Sequence, residues 1–447
     1  MKSPKKNNDC SLTRRGFLLG TAGGIAAGAG VQAAGGASRG SRQRLALFGG
    51  RPAVTVPADK HDKACRWPLF GPEEEKAVLQ VVRHPTYGPI DAFERDWKNY
   101  CGAPFVKAHY NGTSALTSMF FALDLPPGSE IMVPSYTFFA TILPMRFFGF
   151  VPVFVDIDPH TLNFDLQDAK KRLTKRTKAL LPVHWLGLPC DMDAICDFAR
   201  EKGLIVLEDA AHAHGAKLKG KRMGLWSRMS IFSFQNSKPL PTIEGGMGMY
   251  QTREDYERAT TFGHYRFPPR FPAGSRYRRY QGTGLGLKLR MHPIAAAIGR
   301  AQLRTLDKRN ALIKAQVRRL NDQITTLPGL SEQRCRSDAD RVYYAYNMLF
   351  LDEKKAGMSR KAVVKALRAE GVRTSEYSYL LQHKCAVYRE TEWWHHKPEI
   401  PHLPGSEEAN KIAINLPLFT SEAPELVEQY AEAFKKVWAH RNELASI

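Results

Sequence analysis

The chain has 447 residues, 43% hydrophobic and 24% charged, with a formal net charge of +21. This is globular composition, long enough for two cores, and past the N-terminus no apolar run is long enough to span a bilayer. The basic balance suits acidic substrates such as phosphorylated sugars or an acidic envelope, and no zinc-finger spacing, RNP-like aromatic run or basic-zipper heptad supports a nucleic-acid partner.

In chain order, residues 1–37 read as a signal. Lys2, Lys5 and Lys6 precede Arg14-Arg15-Gly16-Phe17-Leu18-Leu19 and a mild Gly/Ala-rich apolar run. This is the pattern of a twin-arginine export leader, which carries folded proteins with their cofactors seated. It predicts a periplasmic or extracytoplasmic protein that meets the membrane only during export. Residues 38–70, rich in Gly, Arg and Pro, read as an arm or linker. Helices are expected from Pro72 and over 90–100. From residue 105 strands and helices alternate, with strands at 130–134, 151–155, 178–183 and 204–208 and helices at 113–124, 137–148, 165–173 and 191–202. Such alternation predicts an α/β fold, a mostly parallel sheet flanked by helices, over a large domain at 71–325. A long helix over 292–326 leads to a smaller domain at 326–447, with a strand at 342–351 and helices at 359–370 and 421–443.

The stretch 230–250, SIFSFQNSKPLPTIEGGMGMY, sets Lys238 on an irregular loop between two strands, fixed by Pro239, Pro241 and the Gly245–Gly246 pair. A lysine held there is suited to reach one carbon atom as a Schiff-base amine. Three other pieces join it. Asn111-Gly112-Thr113-Ser114 opens a helix and offers N–H groups and hydroxyls to a phosphate. Tyr136-Thr137-Phe138-Phe139 follows a strand and offers a flat aromatic. In Glu208-Asp209-Ala210-Ala211-His212-Ala213-His214, Asp209 falls at a strand end, where ligands of parallel sheets gather. A carboxylate there can hold a pyridine nitrogen protonated. With Ser233 beside the lysine, these are the parts that a pyridoxal 5'-phosphate site needs. Seven cysteines form no CxxC pair and the histidines complete no zinc pattern, so no metal is expected.

The ordered motifs NGTSAL (111–116), PSYTFFAT (134–141), PVFVDIDPHTLN (152–163), PVHWLG (182–187), EDAAHAHGA (208–216), SFQNSK (233–238), EGG (244–246) and LRMHPIAAAIGRAQL (289–303) resemble the DegT/DnrJ/EryC1/StrS aminotransferases. The resemblance covers roughly residue 45 to the C-terminus. It implies a fold-type I pyridoxal-phosphate transferase with a smaller C-terminal α+β domain. It implies Lys238 as the Schiff-base lysine, Asp209 on the ring nitrogen, Phe138 stacked on the ring, and His212 near the ring oxygen. Gly112, Thr113, Ser114 and Ser233 would hold the phosphate. Apart from the resemblance, His184 and His214 read either as lining the substrate side or as structural histidines. The resemblance implies an amino donor, glutamate or glutamine, an acceptor of the keto-sugar or keto-cyclitol type, and a homodimer with shared sites. The chain departs from the family pattern at Ser227-Arg228 (usually Gly-Asp), Pro239 (Asn), Pro241 (Thr) and Ile243 (Gly). Lys288 stands where an asparagine of the neighbouring subunit often reaches the phosphate. The alternatives to an aminotransferase are a pyridoxal-phosphate enzyme of another reaction type and a non-catalytic envelope protein that binds cofactor or ligand.

Overall fold

The computed structural model describes residues 44–447. The export signal expected at 1–37 lies outside the described residues, as does the start of the arm.

Seven strands form the main sheet: β1 (Phe105–His109), β2 (Glu130–Pro134), β3 (Val151–Val155), β4 (Thr177–Leu180), β5 (Ile205–Asp209), β6 (Met229–Ser233) and β7 (Gly246–Tyr250). Their order is β1-β7-β6-β5-β4-β2-β3. The five strands from β6 to β3 run parallel, and β7 lies antiparallel to both β6 and β1. Both faces are covered, which is why these strands read as unbroken apolar runs rather than as alternating ones. Helix Gly112–Leu123 packs Leu116, Met119 and Phe120 on one face; Gly88–Cys101 and Met192–Lys202 pack Phe93, Trp97, Ile195 and Phe198 on the other.

A second, antiparallel sheet joins β8 (Leu330–Glu332), β9 (Tyr346–Leu351), β10 (Ser375–Glu376) and β11 (Ala413–Pro417) in the order β8-β9-β11-β10. Helices Arg360–Ala369 and Pro424–Ala439 close its core.

Four expectations change. Residues 137–148 form two 3-10 turns, Phe139–Thr141 and Leu143–Phe148, because Pro144 lacks the N–H that a continuous helix needs. The helix expected over 292–326 is two, Pro293–Leu303 and Leu306–Ile324, broken at Arg304 and Thr305. The strand expected from 342 begins at Tyr346, because Ala345 turns the backbone to φ +62°. Most of the arm is packed rather than free: Leu45, Val54 and Ala64 are buried in the C-terminal core, and the Glu370 carboxylate accepts hydrogen bonds from the Ala46 and Ala53 N–H groups.

Candidate active site

The carboxyl ends of β1, β5 and β6, with the segment after β2, converge on Lys238. The loop that carries it is closed by its own backbone: Phe234 N–H donates to Gly245 O (2.8 Å), Asn236 N–H to Ile243 O (3.0 Å) and Thr242 N–H to Phe234 O (2.8 Å). Ile243 holds φ +72° and is 56% exposed, a strained setting for a β-branched residue.

The Lys238 amine donates to the Tyr344 hydroxyl at 3.1 Å and lies 4.3 Å from that ring's centre. Tyr344 also pairs with the Ser237 hydroxyl at 2.9 Å and stacks on His212 at 4.2 Å. Burial opposes ionisation of this phenol, but the Lys238 ammonium and the bonds with Ser237 and Lys238 outweigh it and hold its pKa below the usual value. Sequence reasoning missed Tyr344. Its only signal was the pair of tyrosines before a strand, and the Ala345 kink is what turns it to the lysine.

Asp209 ends β5 and is 4% exposed. It accepts the Thr141 hydroxyl (2.8 Å) and the Ala211 N–H (3.1 Å), and Thr141 is linked to the Thr137 hydroxyl at 2.8 Å. Burial raises its pKa; the two hydrogen bonds and the Lys238 charge only partly offset this. Among the described residues no cation pairs with it. Phe138, between the two threonines in sequence, is 51% exposed and packs on Phe139. Burial, then the Lys238 charge, holds the His212 imidazole well below its ordinary pKa, so it is neutral, and its Nδ1 accepts the Leu186 N–H.

The helix start at Gly112 abuts the end of β6. A Cβ on Gly112 would lie 2.8 Å from the Ser233 Cβ, and one on Gly246 would lie 2.3 Å from the Asn111 carbonyl oxygen. Glycine at both positions lets the turn and the strand ends come together into one small cradle. Ser114 is engaged there as a cap, its N–H and hydroxyl both donating to Asn111 Oδ1 (2.8 and 2.9 Å). That leaves the first two N–H groups of the helix, the Thr113 hydroxyl and Ser233 to meet a ligand.

His184 and His214 correct the sequence expectation. Neither lines an open substrate face; both are fully buried. His184 Nδ1 accepts the Cys190 N–H (3.1 Å), so its Nε2–H donates to Glu208 (3.1 Å). His214 packs against Trp97, Phe232 and Phe234, where burial lowers its pKa to about 3. Lys288 is exposed and its side chain makes no hydrogen bond or ion pair among the described residues. The Ser227-Arg228 departure is accommodated structurally: Ser227 bonds Glu208 and Arg228 forks onto Asp255 (2.9 and 2.6 Å).

Glu208 anchors the strand end beside Asp209. It is fully buried and accepts from the Gly224, Trp226 and Ser227 N–H groups, the Ser227 hydroxyl and His184. Burial opposes its charge, but these donors outweigh it and lower its pKa. A lowered carboxyl pKa gives stability that is present above the unfolded value and lost as pH falls through the folded one. Glu208→Ala strands all of these donors and should cost about 3 kcal/mol or more at pH 7. Urea unfolding at pH 7 and pH 4 should show the gap between wild type and variant narrowing at the lower pH; a gap equal at both would remove the charge from the account.

The residues fit pyridoxal phosphate. A buried carboxylate lacking a cation suits a protonated pyridine nitrogen, the glycine-backed helix start beside Ser233 suits a phosphate, Phe138 offers an uncovered ring face, and Lys238 supplies the amine.

Comparisons with known proteins give the family. A model of the DegT/DnrJ/EryC1/StrS aminotransferase family matches residues 70–435. The chain is 31% identical over 381 residues to a spore coat polysaccharide biosynthesis protein of Bacillus subtilis, covering 83% of this chain and 95% of that one. It is 30% identical over 372 residues to the dTDP-3-amino-3,6-dideoxy-alpha-D-galactopyranose transaminase of Aneurinibacillus thermoaerophilus, covering 81% and 95%. Among solved structures, an aminotransferase from Psychrobacter cryohalolentis superposes with a TM-score of 0.75 at 26% identity over 84% of this chain and 99% of that one. The chain therefore belongs to the DegT/DnrJ/EryC1/StrS aminotransferase family and is a transaminase.

Proposed function

We propose that this transaminase moves an amino group from glutamate or glutamine to a keto sugar or keto cyclitol. Pyridoxal phosphate is the cofactor. The observation that carries the reading is the Lys238 amine, held by Tyr344 on a closed loop beside a buried Asp209 that lacks a cation. The acceptor class is supported by the relative named as a dideoxy-galactopyranose transaminase.

When bound, pyridoxal phosphate supplies an electron sink conjugated to the amino-bearing carbon. Asp209 holds the ring nitrogen protonated. The N–H groups of Gly112 and Thr113, with the hydroxyls of Thr113 and Ser233, hold the phosphate, Ser114 fixing the turn through Asn111. Phe138 would cover a ring face of the cofactor, and neutral His212, stacked on Tyr344, would meet the ring oxygen. Lys238 Nζ takes the proton from the donor's α-carbon and acts as the general base. Tyr344, bonded to that nitrogen, keeps it in position between turnovers. Lys288 of a second copy adds a positive charge at the phosphate, in a homodimer with shared sites. The leader directs the folded protein out through the twin-arginine route, so the enzyme works in the periplasm or beyond it.

The test is an absorbance spectrum of purified protein before and after glutamate, followed by borohydride reduction and peptide mapping. A yellow band that bleaches with glutamate, and label on Lys238, are expected. A protein that takes up no added pyridoxal phosphate would overturn the reading.

A further inference from the structure

A cavity of about 210 Å³ lies against the two residues that flank Lys238. Ser237, Pro239 and Tyr344 form part of its wall; Trp67, Ile313 and Arg309 form much of the rest. Lys238, Asp209, Gly112, Ser233 and His212 do not line it, and it adjoins the site above through Ser237 and Tyr344. Its walls are mainly apolar, and Arg309 is the single charged residue among them.

Arg309 is poorly matched. Nη1 donates to Gln302 O (3.2 Å) and to the Thr305 hydroxyl, and Nη2 donates to Pro239 O (3.2 Å). Nε is buried without a partner, and no carboxylate pairs with the guanidinium among the described residues. Three of five N–H donors are therefore used. Burial lowers its pKa to about 10, the field of Glu74 acting the other way. A half-buried cation with no carboxylate partner gains from an anion that meets it.

We propose that this cavity binds a small monocarboxylate with an apolar or aromatic body, its carboxylate on Arg309. One half-buried cation balances one negative charge. A phosphate dianion or a dicarboxylate would leave a second charge in an apolar pocket with nothing to pair it. The Arg309 Nη2 group, bonded to the carbonyl of Pro239 in the cavity wall, keeps one N–H for the carboxylate. The walls offer Trp67, Tyr343 and Ile313 to the body of the ligand. Such a ligand contacts Tyr344, which bonds the Lys238 amine, and Ser237, which bonds Tyr344, so occupancy reaches the lysine through Tyr344.

Benzoate is the probe. Calorimetric titration of the purified, cofactor-loaded protein should show saturable binding, one molecule per protomer. Arg309→Gln should weaken it about tenfold or more. Glutarate, with a second charge, should bind more weakly than benzoate. Lys238→Ala should still bind benzoate saturably, which separates this proposal from the transaminase reading: loss of the lysine ends amino transfer and leaves the cavity. In the wild type alone, benzoate should slow deuterium uptake in 309–313 and 343–346, a readout that holds even if Arg309→Gln folds poorly. No saturable binding, equal affinity for glutarate, protection confined to other segments, or binding lost in Lys238→Ala and kept in Arg309→Gln would each overturn the assignment.

Discussion

Lys238→Ala is expected to end amino transfer, lowering turnover by about 10⁴-fold or more, while the protein still folds. The size of the effect follows from what the residue is asked to do. On the proposed reading it supplies the amine and the base. The fold survives because the loop is closed by backbone bonds from Phe234, Asn236 and Thr242, none of which involves the Lys238 side chain. That side chain touches Tyr344 through one hydrogen bond and its ring face. Alanine therefore removes an amine rather than a buttress, and the melting temperature should move by only a few degrees. Single-turnover release of the keto acid from glutamate measures the loss. Adding a small primary amine such as ethylamine to the variant should restore part of the rate, because the missing group is a base of about that size and basicity. Turnover within tenfold of wild type, with the fold intact, would remove Lys238 from the chemistry.

Much of this site is legible in the sequence. The main-sheet strands announce themselves because burial on both faces forces runs such as Ile131–Val133 and Val151–Val155 to be apolar throughout. Lys238 stands out because prolines and glycines frame it, and Asp209 because an apolar run stops there. What is not legible depends on distance and direction. Tyr344 meets Lys238 across 106 residues of sequence, through a left-handed kink at Ala345 that no pattern marks. His184 and His214 sit in motifs full of site residues, yet each points inward, one to Glu208 and one to the Trp97 cluster. Near a strand end the inward or outward sense of a side chain is set by local turn geometry, so spacing alone could not separate them from His212. The arm fails for another reason: its composition is that of a linker, but Leu45, Val54 and Ala64 find a core supplied by the far end of the chain. Arg309 likewise reads as one more surface cation on a polar helix until the Pro239 carbonyl is seen against it.

Asp209→Asn tests the other half of the chemistry, and it carries a prediction of opposite sign for stability. Turnover should fall about 10²- to 10³-fold, the cost of losing one charge aimed where the transition state needs it. In the protein without cofactor, the Asp209 carboxylate is buried, meets only the Thr141 hydroxyl and the Ala211 N–H, and has its pKa raised, mainly by burial. A raised carboxyl pKa means that the folded state binds the proton more tightly than the unfolded one. Folding is then penalised as pH rises through the unfolded and toward the folded pKa, and the penalty is absent in acid. Asparagine carries no charge to desolvate. Its oxygen can accept from Ala211, and Thr141 can turn its hydroxyl to accept from the amide, since its bond with Thr137 serves in either sense. The cofactor-free variant should therefore melt above cofactor-free wild type at pH 7, with the two converging at acid pH. Saturating pyridoxal phosphate should reverse the order, because only the carboxylate gains a cationic partner and binding to the folded state adds its own stabilisation. Four melting curves, with and without cofactor at pH 7, decide it. If cofactor stabilises both proteins equally, Asp209 does not face the ring nitrogen and the loss of turnover has another cause; if the order reverses, the same buried charge that weakens the empty protein is what makes the loaded one work.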